Sequence, residues 1–162
     1  MVAPKIAVLG FIISVAFTLN GVGLFTPAWI QYGSVVESVF WIFLGIVPYQ
    51  DGEFAWLAAA SFLMYASFAV FCLMSILYIF VFTKICKDEH PFGYRKWFYI
   101  IAVCCALIVV LVITSIILIG VNLATSYQQL NLGFSAWICV ASAILTSGAM
   151  GLAAHIAHRD CE

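Results

Sequence analysis

Residues 25–30 read FTPAWI and stand at the end of an apolar run of 20 residues, 6–25. A membrane-spanning helix needs ~20 residues at ~1.5 Å each, so this run has spanning length. Pro27 disfavours helix at the residue before it and marks the end of the helix. Trp29 follows, and Trp41 comes twelve residues later. The stretch therefore predicts the point where the chain leaves a first membrane span and enters an aromatic loop.

The rest of the chain repeats this alternation of long apolar runs and short polar segments. Of its 162 residues 66% are hydrophobic, and only six are basic and seven acidic. A soluble domain of this size needs more polar surface. We predict an all-α membrane fold, a four-transmembrane-helix bundle forming a single domain over residues 1–162. Its spans are expected at about 6–25, 56–82, 97–121 and 133–156, with outer loops 26–55 and 122–132 and an inner loop 83–96.

The basic residues predict the orientation of this bundle. All six fall on one side of the four spans: Lys5, Lys84, Lys87, Arg95, Lys96 and Arg159. The positive-inside rule then places both termini and the loop 83–96 in the cytosol. The first span is too long for a cleaved signal peptide and ends without an A-x-A-like site, so we expect it to be retained. The plasma membrane is the expected location.

The first outer loop has the composition of β-structure. Residues 29–47, WIQYGSVVESVFWIFLGIV, are rich in β-branched and aromatic side chains. We predict two or three short strands, making a small extracellular β-sheet formed mainly by this loop. A re-entrant dip of residues 39–47 is the alternative, although nine residues are too few to cross a bilayer. Trp29 is either a simple interface anchor or one half of a small loop core with Trp41.

Several stretches resemble one membrane-protein superfamily. Trp29 matches a tryptophan just after the first span, and Phe40-Trp41 matches the Gly-Leu-Trp-type motif about a dozen residues later. Residues 56–68, WLAAASFLMYASF, and 132–155, LGFSAWICVASAILTSGAMGLAAH, are similar to its second and fourth spans. With its four-span topology the chain resembles the claudin, peripheral myelin protein and epithelial membrane protein superfamily.

The chain departs from that pattern in three places. The pair of loop cysteines that follows the second tryptophan in the family is missing, so the chain is identified as a divergent member. The outer loop is shorter than in typical claudins. The C-terminal residues HIAHRDCE do not resemble the aromatic-Val ending of a PDZ-domain ligand.

Two functions follow from the resemblance and the aromatic loop. The first is a non-enzymatic protein that acts through protein–protein contacts in cell junctions or membrane organisation, by self-association. The alternative is an auxiliary subunit that modulates the assembly, trafficking or gating of an ion channel or receptor. An exposed aromatic segment is costly to leave in water. In either function, we therefore expect a partner protein to cover the loop. Candidate contact residues are Glu37, Phe40, Trp41, Phe43, Asp51 and Glu53, and Pro27, Trp29 and Trp41 form the fold motif.

The predicted spans contain few side chains that could support catalysis. No acidic or basic residue lies deep within a predicted span, so an enzyme or a single-chain transporter is not expected. His155 and His158 share a helix face and with Cys161 could bind a metal, but histidines at a helix C-terminus more often complement its dipole. We expect no catalytic residue, cofactor, metal or nucleic acid; the expected partners are the lipid bilayer and other membrane proteins.

Small and polar residues inside the spans are expected to pack helices together. The candidates are Gly10, Ser14, Gly148 and Gly151, since small residues let helices approach closely in membranes. Asn20 and Asn122 are expected to bond across helices or to loop backbone. No cysteine lies in either outer loop, which excludes an external disulfide within the chain. Cys86 and Cys161 lie close to the cytosolic membrane surface, where palmitoylation is the alternative to a free thiol.

Overall fold

The computed structural model describes residues 3–32, 42–44, 46, 54–87, 94–126 and 130–159. Its helices are α1 (Ala3–Phe25), α2 (Ala55–Lys87), α3 (Arg95–Ser126) and α4 (Phe134–Arg159). Three short strands lie between them, β1 (Ile30–Tyr32), β2 (Ile42–Leu44) and β3 (Leu130–Leu132). All four helices are long and apolar enough to cross a membrane, so the chain is an integral membrane protein whose outer helix faces contact lipid.

The helices extend beyond the spans that the charge map predicts. The second span was expected at 56–82, but α2 continues to Lys87, and α3 begins at Arg95, before the expected residue 97. Charged residues mark where a chain leaves the hydrocarbon region, but the backbone can stay helical in the headgroup region because water satisfies its polar groups there. The charge pattern therefore does not fix the residue at which a helix ends.

Neighbouring helices pack in the order α1, α4, α3 and α2, and α1 meets α2 through the smallest of the four interfaces. Serine hydroxyls cross two of the larger interfaces. Ser142 Oγ of α4 donates to the carbonyl of Ala16 on α1 at 2.7 Å, and Ser115 Oγ of α3 donates to the carbonyl of Ala60 on α2 at 3.0 Å. Small residues at these contacts allow one backbone to approach another, as membrane helices require.

Aromatic rings fill the remaining interface, between α1 and α2. Phe68 of α2 stacks on Phe17 with ring centroids 5.3 Å apart and meets Phe25 edge-on at 5.5 Å. Phe17 also contacts the buried Phe71 at 6.0 Å. Offset and edge-to-face arrangements of this kind stabilise aromatic pairs beyond the area that they bury. These rings separate α1 from α2, which explains why few other residues touch across this interface.

The predicted extracellular β-sheet formed mainly by the first outer loop is wrong. The architecture is an all-α four-helix bundle, and the strands that the structure describes have three residues each. They form a short ladder in the order β2-β1-β3, in which β1 pairs antiparallel with both neighbours. One outer strand comes from the second loop, and strands this short bury too little to form a layer of their own. The first loop is rich in residues that favour β-structure, but it does not form a sheet by itself.

Candidate functional site

A proline and a tryptophan end α1 together. In an α-helix the carbonyl of Gly23 would accept a hydrogen bond from the backbone N–H four residues later, but that residue is Pro27, which has no N–H. The indole Nε1 of Trp29 donates to this carbonyl instead, at 2.9 Å. The indole is fully buried. The FTPAWI stretch is therefore a helix cap in which the tryptophan supplies the donor that the proline lacks.

The same segment is bonded to the beginning of α4. The backbone N–H of Gly133 donates to the carbonyl of Trp29 at 2.8 Å, and the N–H of Ser135 donates to the carbonyl of Ala28 at 3.1 Å. Ser135 Oγ also donates to the carbonyl of Thr26, at 3.2 Å. The first N–H groups of a helix have no partner within it, and here the end of the first span supplies acceptors. We call residues 26–30 and 133–135 the clasp.

Two glycines make the close approach at the clasp possible. A Cβ atom on Gly133 would overlap the backbone carbonyl of Ala28, and one on Gly23 would overlap the Sγ of Cys139. In the first case the obstacle is backbone, which cannot move aside as a flexible side chain can. Glycine is thus required at position 133 because two backbones meet there.

The far end of the first loop is also held to the bundle. Ser61 Oγ of α2 donates to the carbonyl of Ile46 at 3.0 Å and to that of Leu57, one turn earlier, at 3.0 Å. Ile46 is fully buried. The first outer loop therefore leaves the bundle through the clasp and returns to it at Ile46.

The predicted contact residues lie mostly beyond what the structure describes. Phe43 lies in β2, opposite Gln31, and its side chain is not described. Outside the described residues are Glu37, Phe40, Trp41, Asp51, Glu53 and Cys161. A pairing of Trp29 with Trp41 therefore stays a prediction. Since Trp29 is fully buried, its indole does not act as an anchor at the lipid surface.

The expected helix-packing residues fall into two groups. Gly10 is buried, and a Cβ atom there would overlap the ring of Tyr78, whose hydroxyl donates to the carbonyl of Ile6 at 2.8 Å. Ser14 is exposed and bonds within its own helix, to the carbonyl of Gly10. An added Cβ on Gly148 or Gly151 would meet nothing within 4 Å, and both glycines are exposed. Of the three glycines, Gly10 is the one at which an added Cβ would meet a neighbouring helix.

At the end of the bundle where α2 stops and α3 begins, aromatic and basic side chains meet. Phe80 and Trp97 form an edge-on pair across the two helices at 6.0 Å, and Lys84 Nζ lies 5.9 Å from the Phe80 ring. Cys86, two residues after Lys84, is exposed. His155 and His158 are exposed on α4. Within the part of the chain that the structure describes, no group of three metal-ligating side chains occurs.

The clasp residues of α4 and Gly23 were missed by reasoning from the sequence. A signal for part of the arrangement exists, because Pro27 lies four residues after Gly23 and must leave its carbonyl without the usual donor. Nothing in the local pattern, however, identifies Trp29 as the replacement. The bonds to Gly133 and Ser135 join segments more than a hundred residues apart.

Comparison with known proteins agrees with this architecture. The family model described as tight junction protein, claudin-like, matches residues 1–162, the whole chain. A search of curated proteins finds no match. The four apolar helices and the match over the full length lead to one conclusion, which the resemblance at Trp29 and Trp41 had anticipated. The chain belongs to the claudin-like family of tight junction proteins.

Proposed function

We propose that this protein is a non-enzymatic membrane-organising protein that associates with copies of itself through its first outer loop, at contacts between plasma membranes. The observation that carries the proposal is the clasp, because it fixes the loop at the end of the bundle. Trp29 is held to Gly23 at 2.9 Å and to Gly133 at 2.8 Å, so the segment that leads into the loop has little freedom. A loop held in this way loses less conformational entropy on binding.

The composition of the loop supports a protein contact. Residues 39–47, VFWIFLGIV, include three aromatic side chains, and aromatic residues dominate the energetics of protein interfaces. We propose that Phe40, Trp41 and Phe43 are the apolar contact residues. Glu37, Asp51 and Glu53 would form an acidic rim, which favours cations along any path between two loops.

The orientation that we propose follows the basic residues, with both termini and the loop 83–96 in the cytosol. The clasp and the first outer loop then face the outside, where a copy in the same or an opposite membrane can meet them. Attaching a glycosylation acceptor to either terminus or to the loop 33–41 tests this orientation. Glycan should be added in the loop alone, and glycan on a terminus would reverse the topology.

Self-association is tested with two differently tagged copies of the full chain. We expect one tag to capture the other after extraction in mild detergent. Trp41→Ala and Phe43→Ala should reduce capture about tenfold or more, as removal of interface anchors does, while delivery to the cell surface stays close to normal. Phe11→Ala is the matched control, because that side chain is 71% exposed and lies in the half of α1 farther from the clasp.

The outcomes separate this function from its alternative. Recovery of one other membrane protein in stoichiometric amount, without a second copy of this chain, would contradict self-association and identify an auxiliary subunit. Failure of Trp41→Ala and Phe43→Ala to reach the surface would show that these residues stabilise the fold, and their assignment as contacts would be wrong.

A further inference from the structure

Asn20 lies on the buried face of α1, in the half of the helix nearer the clasp, and is fully buried. Among the residues that the structure describes, neither its Oδ1 nor its Nδ2 atom has a hydrogen-bond partner. Each half of a buried amide left without a partner is costly, and lipid tails cannot supply one. The other asparagine that was expected to bond across helices, Asn122, is satisfied within its own helix, where Nδ2 donates to the carbonyl of Leu118 at 2.7 Å.

The contacts around Asn20 show which way its side chain points. At about 100° per residue, Asn20 lies between the side of α1 that meets α4, at Ala16, and the side that meets α2, at Gly21. Its amide is therefore directed into the centre of the four-helix bundle.

The contacts of two other helices place buried hydroxyls within about one turn of Asn20 along the bundle. On α4, Ser142 bonds to Ala16, one turn before Asn20, while Cys139 meets Gly23, one turn after it. On α2, Ser67 precedes Phe68, whose ring contacts residues on both sides of Asn20 along α1. Ser67 and Ser142 are both fully buried.

Each of these hydroxyls has an acceptor to spare. Ser67 Oγ donates to the carbonyl of Met64 at 2.8 Å, and Ser142 Oγ donates to the carbonyl of Ala16 at 2.7 Å. A hydroxyl that donates once still has lone pairs that accept. Neither is bonded to Asn20 directly. A buried water needs two to four polar partners, and the amide together with these oxygens provides that number.

We propose that Asn20 holds an internal water molecule in the core of the bundle, with the hydroxyls of Ser67 and Ser142 as its further partners. The amide donates from Nδ2 to the water, and the water donates one of its two protons back to Oδ1. Since both hydroxyls already donate elsewhere, the second proton goes to the Oγ of Ser67 and, in exchange, to that of Ser142. The site connects α1 with both neighbouring helices at the level where α1 and α2 are separated by phenylalanine rings. It is independent of the first outer loop and of self-association.

The test uses the intact protein in lipid nanodiscs. The chain has three asparagines, Asn20, Asn122 and Asn131, so selective ¹⁵N-asparagine labelling gives three side-chain amide signals. The signals that disappear in Asn122→Ser and Asn131→Ser belong to those two residues, and the remaining signal belongs to Asn20. We expect magnetisation transfer from a slowly exchanging water to the Asn20 amide protons. Transfer from lipid or protein protons alone, with no water contact, would overturn the proposal.

A double-mutant cycle tests the part played by Ser67. Asn20→Leu and Ser67→Ala should change the Tm non-additively, by about 2 °C or more, because both remove partners of one water. Asn20→Leu with Ser147→Ala is the control pair, since Ser147 bonds within α4 to the carbonyl of Ala143 at 2.9 Å. That pair should be additive. Additivity in both pairs would exclude Ser67 from the site.

Discussion

The indole Nε1 of Trp29 donates its hydrogen bond to the carbonyl oxygen of Gly23, 2.9 Å away, in the place of the backbone donor that Pro27 lacks. The bond is buried. It joins the sequence feature that ends α1 to the segment that enters the first loop. The bond between Trp29 and Gly23 holds residues 28 and 29 in place. The carbonyls of these two residues accept hydrogen bonds from the backbone N–H groups at the beginning of α4, so the geometry of the clasp depends on that bond.

Trp29→Phe should therefore destabilise the protein. The phenyl ring keeps most of the apolar volume, but the Gly23 carbonyl loses its donor and remains buried. We expect a loss of about 2–3 kcal/mol, from the unsatisfied carbonyl and the small cavity together. Thermal unfolding of the purified protein in detergent measures it. Trp137→Phe, at an exposed tryptophan, should leave the Tm unchanged, and equal losses in both variants would contradict the cap.

Gly133→Ala should open the clasp. The new methyl group would meet the carbonyl of Ala28, which is backbone, so one segment must shift and the bond from the Gly133 N–H to Trp29 weakens. We expect a loss of about 1–3 kcal/mol, the range for overpacked sites. Gly148→Ala is the matched control on α4, where the methyl group meets nothing within 4 Å. That variant should be neutral or gain up to about 1 kcal/mol of helix propensity.

Tyr78→Phe should weaken the contact between α1 and α2. The tyrosine hydroxyl donates to the carbonyl of Ile6 at 2.8 Å, across the smallest helix interface of the bundle. Removing it should cost about 0.5–1.5 kcal/mol, measured by thermal unfolding. Tyr65→Phe, on the same helix, has no hydroxyl bond to the described residues and serves as the control. A larger loss at Tyr65 would argue against the assigned role of Tyr78.

Cys86 is the expected site of acylation among the cysteines that the structure describes. It is exposed near the end of α2, beside basic residues, whereas Cys105 and Cys139 are buried. Hydroxylamine-sensitive acyl exchange should label the wild-type protein, and Cys86→Ser should lower the label by about half or more if Cys161 is the only other acceptor. Cys104→Ser, within α3, should leave the label unchanged. Unchanged label in Cys86→Ser would contradict the assignment.

The four helices could be predicted from the sequence because charge spacing and membrane thickness leave few alternatives. Uncharged runs bounded by Lys5, Lys84 and Lys96 determine the number of spans. The ends of the helices could not be predicted as well, because a helix such as α2 continues past Lys84. Charge spacing carries no information on that part of the chain.

The clasp shows why the rest could not be derived. Trp29 was expected either at the membrane interface, where a tryptophan after a span is favoured, or in a small loop core with Trp41. Its burial depends on Gly133 and Ser135, which reach it only once α4 packs beside α1. Likewise Asn20 was expected to bond across helices or to loop backbone, and the part of the chain that the structure describes offers its amide no partner. A pattern in the sequence describes one segment at a time, whereas the burial of Trp29 and the surroundings of Asn20 each depend on two or more packed segments.

The hydrogen bonds of the Trp29 cap and of the clasp can form only in a fixed order during biosynthesis. Chains emerge and fold from the N-terminus, so the bond from Trp29 to Gly23, six residues apart, can form soon after the first span emerges. The bond from Ser135 to Thr26 must wait for a residue 109 positions later. Until the fourth span begins to enter the membrane, the carbonyls of Thr26, Ala28 and Trp29 lack these partners. Arrival of the last span is therefore the step that closes the base of the first loop, and a ribosome that stops short of residue 133 leaves the loop open.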